Sequence, residues 1–111
     1  MRPNLKTIRL VLALAGPLLG LAAAQDQPQK AASLIANPTY QHNCAKCHGE
    51  NAEGRHFHGP SLISGKAASA SNDDLRNIIA NGKGHMPKFS GKLGSGEIEA
   101  LVDQIKGANG K

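Results

Sequence analysis

Aromatic side chains are nearly missing from this 111-residue chain: tryptophan is absent, and Tyr40, Phe57 and Phe89 make up the whole set. A small domain with so few large rings has little from which to build a core of its own. Two cysteines occur, Cys44 and Cys47, which excludes a scaffold stapled by several disulfides. No apolar run reaches the roughly twenty residues that a membrane-crossing helix needs. The longest, Leu10 to Ala24, has fifteen apolar or small residues and is broken by Pro17. Internal repeats and strand-like alternation are absent as well, so neither a solenoid nor a sheet is expected.

Acidic residues are also absent from positions 1–24, whereas Arg2, Lys6 and Arg9 precede the apolar run and Ala22-Ala23-Ala24 ends it. A positive start, an apolar middle and a small-residue end predict a cleaved signal peptide over residues 1–24 and export to the periplasm. Its removal takes three of the thirteen basic residues and none of the eight acidic ones, which leaves ten against eight, a net of +2 in place of +5. That balance excludes the basic footprint of a nucleic-acid partner. Residues 25–36, polar and carrying Pro28, read as an N-terminal tail, and 37–111 as one domain.

What the chain does have is Cys44-Ala45-Lys46-Cys47-His48. Cysteines three apart on a helix lie about one turn apart on one side. Both thiols can then add to the two vinyl groups of one porphyrin, and the histidine that follows can give a ring nitrogen to its iron. C-x-x-C-H is the attachment signature of haem c, so one covalently bound haem per chain is expected. Zinc would need about four ligands, and His42, His56, His58 and His85 do not form a second pair at suitable spacing. A thioredoxin-like dithiol would sit beside a βαβ pattern that this sequence lacks, and a plain disulfide would have no use for His48. A plate of that size also supplies the missing core, and the apoprotein is expected to be largely unfolded.

The remaining pattern is helical. Asn37-Pro38 opens a first helix that runs through Tyr40 and both cysteines to Gly49. A second opens at Ser71 or Asn72, has Leu75, Ile78 and Ile79 as its stripe, and ends at Asn81-Gly82. A third is capped by Ser95, carries Ile98, Leu101, Val102 and Ile105 at helical spacing, and closes at Lys106-Gly107. Residues 49–70 and 82–94 read as ligand-wrapping loops.

Met86 is the candidate for the second face of the iron: its thioether suits a redox-cycling centre, and Pro87 keeps it off a helix. His85 next to it, and the pair His56 and His58, are the competing donors. In an extended segment His85 and Met86 point to opposite sides. A carbonyl near Gly59-Pro60 could accept the other ring N–H of His48, with Leu62 close by; an ordinary Gly-Pro turn is the alternative.

These motifs, Tyr40-x-x-Asn43-Cys44-Ala45-x-Cys47-His48-Gly49, Gly59-Pro60-Ser61-Leu62, Met86-Pro87-x-Phe89 and the C-terminal apolar stripe, occur in that order over about residues 37–106. The chain resembles a small class I bacterial cytochrome c. The resemblance implies an all-α fold of about three core helices with loops wrapped around the haem, His48 and Met86 as axial ligands, and the Pro60 carbonyl as acceptor for His48. Leu62 and Phe89 enter the haem-binding set through the same motifs. Where that family commonly has an aromatic on its C-terminal helix this chain has Gln104, which predicts a weaker or replaced contact with Tyr40.

The implied activity is one-electron transfer without catalysis, by a monomer that meets donor and acceptor redox proteins. The alternatives are an electron-accepting subunit of a dehydrogenase or sulfur-oxidising complex, and a ligand sensor with a displaceable Met86. From Leu75 to Gly96 no residue is acidic, and Arg76, Lys83, Lys88 and Lys92 suggest a surface for an acidic partner.

Overall fold

The computed structural model describes residues 31–110. The expected signal peptide and the first part of the expected tail lie outside the described residues. Among the described residues six helices follow in order: α1 Ala32–Ala36, α2 Pro38–Asn43, α3 Ala45–His48, α4 Gly65–Ser69, α5 Asn72–Asn81 and α6 Ser95–Ala108. Among the described residues no strand forms; backbone pairing outside the helices makes two isolated bridges, Arg55 with Gly59 and Lys83 with Met86. The fold is all-α, with two irregular stretches closing on the helices.

The caps explain where the helices start. Asn37 Oδ1 accepts from Thr39 N at 2.8 Å, and Pro38 fills the first helical position, where no N–H is needed. Ser71 Oγ accepts from Asp74 N at 3.0 Å, and Asp73 and Asp74 sit in the first turn of α5, where the helix dipole favours negative charge. At α6 the cap is Gly94, one residue before the expected Ser95. The carboxylate of Glu97 takes over the capping by accepting from Gly94 N at 2.9 Å. The helix also continues past Lys106-Gly107 to Ala108.

Other expectations change as well: the 49–70 stretch, read as a loop, contains α4. The helix predicted from Pro38 to His48 is divided at Cys44, whose φ of −117° lies outside the helical range. Hydrogen bonding continues across the division, with Cys44 N donating to Tyr40 O at 2.8 Å and His48 N to Cys44 O at 2.9 Å. The two pieces therefore behave as one bent helix. The tail reading fails at its end, because Ala32–Ala36 form α1 and Leu34 is fully buried in the core. Five residues are too few to show a period, so nothing but burial marks them as part of the domain.

α6 organises the core. Ile98, Leu101, Val102, Ile105 and Ala108 line one buried face, against which α1, α4 and α5 pack. Arg76 of α5 reaches across to Glu99 of α6, with its Nη2 donating at 3.0 Å, and also bonds Asp73 on its own helix. The guanidinium holds the Glu99 carboxyl below the usual carboxylate range. Lys106 Nζ donates to the Ala70 carbonyl beyond α4. At the other crossing, Gln104 accepts from Asn37 Nδ2 at 2.8 Å, so a hydrogen bond joins α6 to the start of α2. Tyr40 is fully buried nearby, and its hydroxyl donates to Gly49 O at 2.6 Å. Burial, then the nearby Cys44 and Glu53, push that phenol well above its ordinary range, so it stays a donor.

Candidate haem site

The bent α2–α3 helix places Cys44, Cys47 and His48 within two turns. Both cysteines are unpaired and half-buried, and His48 is buried. Burial, then the neighbouring Cys47, push the Cys44 thiol up to about 11. Redox dithiols need a depressed thiol pKa to attack a disulfide, so this environment is the reverse of a thioredoxin-like one. Among the described residues no three His, Cys, Asp or Glu side chains converge on a metal-sized site, which leaves the zinc reading without ligands.

His48 is oriented from one side. Its Nδ1 lies 2.8 Å from the Pro60 carbonyl oxygen. A carbonyl can only accept, so Nδ1 carries the proton and Nε2 keeps its lone pair. The approach depends on Gly59: a Cβ there would stand 3.1 Å from His48 Nδ1 and 2.8 Å from Cys47 O, the latter closer than packed atoms allow. Sequence reading singled out the Gly-Pro pair for its carbonyl and missed the glycine's part in it. The segment is anchored further by Leu62, whose N–H donates to Ala52 O at 2.9 Å and whose half-buried side chain packs on the core.

The second irregular stretch carries Met86. Lys83-Gly84-His85-Met86 is a tight turn, with Lys83 N to Met86 O at 3.1 Å and Met86 N to Lys83 O at 2.9 Å. Gly84 at φ 59° supplies its left-handed position, and Gly82 at φ 80°, just before it, ends α5. Met86 is half-buried against the core, whereas His85 is exposed at the turn. A turn, not the expected extended segment, joins the two residues. His56 and His58 are both exposed, flanking Phe57 at the tip of the Arg55–Gly59 bridge. Phe57 is 93% exposed at φ 65°, so it adds nothing to the core. Phe89 sits inside the core, pinned by its N–H to Ile79 O at 3.0 Å, with Lys92 Nζ 5.6 Å above its ring.

The basic surface is smaller in the fold than in the sequence. Arg76, counted in it from sequence, is engaged by Asp73 and Glu99. Lys83, Lys88 and Lys92 remain, all exposed on the stretch that follows α5.

Two thiols one turn apart, an imidazole with a free Nε2 and a fixed Nδ1–H, and partly buried apolar Leu62, Ile63 and Met86 fit a haem c. Fold and site together define a small c-type cytochrome. The chain belongs to the family described as cytochrome c oxidase, cbb3-type, subunit III, whose model matches residues 34–105. No curated protein matches it. The match begins at the buried Leu34, in agreement with α1 as part of the domain.

Proposed function

We propose that this protein is an exported, periplasmic single-electron carrier holding one haem c with His48 and Met86 as axial ligands. The observation that carries the reading is the His48–Pro60 bond, which fixes the imidazole tautomer with Nε2 available beside both thiols. When bound, the haem supplies an iron that gains and loses one electron. The chain's residues do the rest: Cys44 and Cys47 hold the group as thioethers, His48 donates Nε2, and Met86 offers its sulfur from the opposite stretch. Two protein ligands leave no position for a substrate, which favours electron transfer over catalysis. Leu62 shields the His48 side, and Phe89 supports the backbone that carries Met86.

Support for export comes from Arg2, Lys6 and Arg9 ahead of the apolar run that ends at Ala22-Ala23-Ala24. No helix among the described residues is long and apolar enough to cross a membrane. Lys83, Lys88 and Lys92 favour a donor or acceptor with an acidic surface.

The test is a redox titration followed by visible absorption. A single reversible one-electron transition of a low-spin haem is expected; a centre that stays high-spin, or that turns over a small substrate, would contradict the carrier reading. The word subunit in the family's description favours a second reading, an electron-accepting haem subunit held in a larger redox complex. Purification from its native source separates the two: a carrier elutes alone, and a subunit co-purifies with a larger chain.

A further inference from the structure

Asn109 lies beyond the stretch that the family match covers and sixty-one residues from His48 in sequence, yet it bonds the segment on which His48 leans. Its Nδ2 donates to Leu62 O at 2.8 Å and to Ile105 O at 2.8 Å. Both partners are carbonyls, so the amide's orientation is set by chemistry: only the NH2 group can face them. The second bond ties the amide to the last turn of α6, where carbonyls lack helical partners. The first extends that rigid helix end to the loop.

Leu62 is thereby held at both its backbone groups, its N–H by Ala52 O at 2.9 Å and its C=O by Asn109. One residue separates it from Pro60, whose carbonyl takes the His48 Nδ1 proton at 2.8 Å. The other hydrogen bonds of the Pro60–Ile63 segment stay within residues 48–64. Among the bonds of the described residues, Asn109 is the one that fastens this segment to another part of the fold.

We propose that Asn109 is a positioning residue for the haem ligand: through Leu62 it fixes the Pro60 carbonyl, and through that carbonyl the orientation and donor strength of His48. The inference rests on His48 as the iron ligand. A firm Nδ1–H···O=C bond makes the imidazole a stronger donor and favours ferric iron. Loosening the segment weakens that bond, so the reduction potential rises and Nδ1–H meets water more often.

The experiment uses the holoprotein with Asn109→Ala and Asn109→Asp. The second variant keeps the side chain's shape and removes both donors. Gln104→Ala serves as control, because it breaks a hydrogen bond of the same helix that does not reach the Pro60–Ile63 segment. The readouts are the reduction potential and the hydrogen–deuterium exchange of the hyperfine-shifted His48 Nδ1 proton in the ferric protein. Exchange should quicken up to about tenfold in both Asn109 variants, the scale of one lost hydrogen bond, and the potential should move upward. Gln104→Ala should match wild type in both. Unchanged exchange and potential in the Asn109 variants, with only thermal stability reduced, would overturn the inference and leave Asn109 as a helix cap. A wild-type protein with no hyperfine-shifted His48 Nδ1 proton would overturn the ligand assignment itself, and the inference with it.

Discussion

Single residues in this protein work through atoms that are not their own. His48 keeps its Nε2 lone pair because the Pro60 carbonyl claims its other nitrogen, and that carbonyl arrives because residue 59 has no side chain. Gly59→Ala should therefore push Cys47 and Pro60 apart and weaken the His48 bond, seen as faster Nδ1–H exchange and a raised potential. On the opposite side, Met86→Ala should abolish the near-infrared charge-transfer band of a methionine-ligated ferric haem and lower the potential. His85→Ala should leave the neutral-pH spectrum as it is, since His85 is exposed while Met86 is packed inward. A band that survives Met86→Ala, or a spectrum that changes with His85→Ala, would reverse the ranking of these neighbours.

Between elements, α6 is the common partner, and its contacts differ in strength. Leu34→Ala in α1 removes a fully buried side chain and should cost about 2–5 kcal/mol, measured by denaturant unfolding of the holoprotein. A loss below about 0.5 kcal/mol would return residues 31–36 to the tail. Gln104→Ala should cost about 0.5–1.5 kcal/mol, one hydrogen bond between α6 and the start of α2. The Arg76–Glu99 pair is exposed and worth less. Its pH dependence has a definite sign: the carboxyl is lowered in the folded state, so its contribution is present above the ordinary glutamate pKa and fades as acid titrates it through the lowered value. Glu99→Gln should flatten that part of the stability–pH curve below the usual 4.5.

Much of this was legible in advance where a period or a cap carried it, as in the α6 stripe and the Asn37-Pro38 and Ser71 starts. Helices α1 and α4 were not, because five residues span little more than one turn and show no stripe. The bend at Cys44 and the Asn37–Gln104 and Asn109–Leu62 bonds left no trace either; those two bonds join residues 67 and 47 apart, and such pairing is decided by tertiary approach. At the site, C-x-x-C-H announced the cofactor by itself, whereas the partner of His48 followed from family resemblance and from no spacing rule.

For the whole molecule, charge and cofactor set behaviour. With Arg76 paired internally, the exposed Lys83, Lys88 and Lys92 remain, close in sequence to Met86. Lys83→Glu with Lys88→Glu should slow electron transfer to the physiological partner at low ionic strength and converge with wild type at high salt, in stopped-flow measurements. Equal rates at low salt would leave these lysines as solvation only. Few aromatics and a small core mean that the haem completes the domain, so Cys44→Ala or Cys47→Ala should yield little folded protein. The central claim is that the haem is covalently part of the chain. Mass spectrometry of the purified protein after extraction into acidic organic solvent tests it most directly. The polypeptide should be heavier by one haem, with the added mass on the peptide that contains Cys44 and Cys47. A bare polypeptide, with the haem in the organic phase or absent, would contradict it.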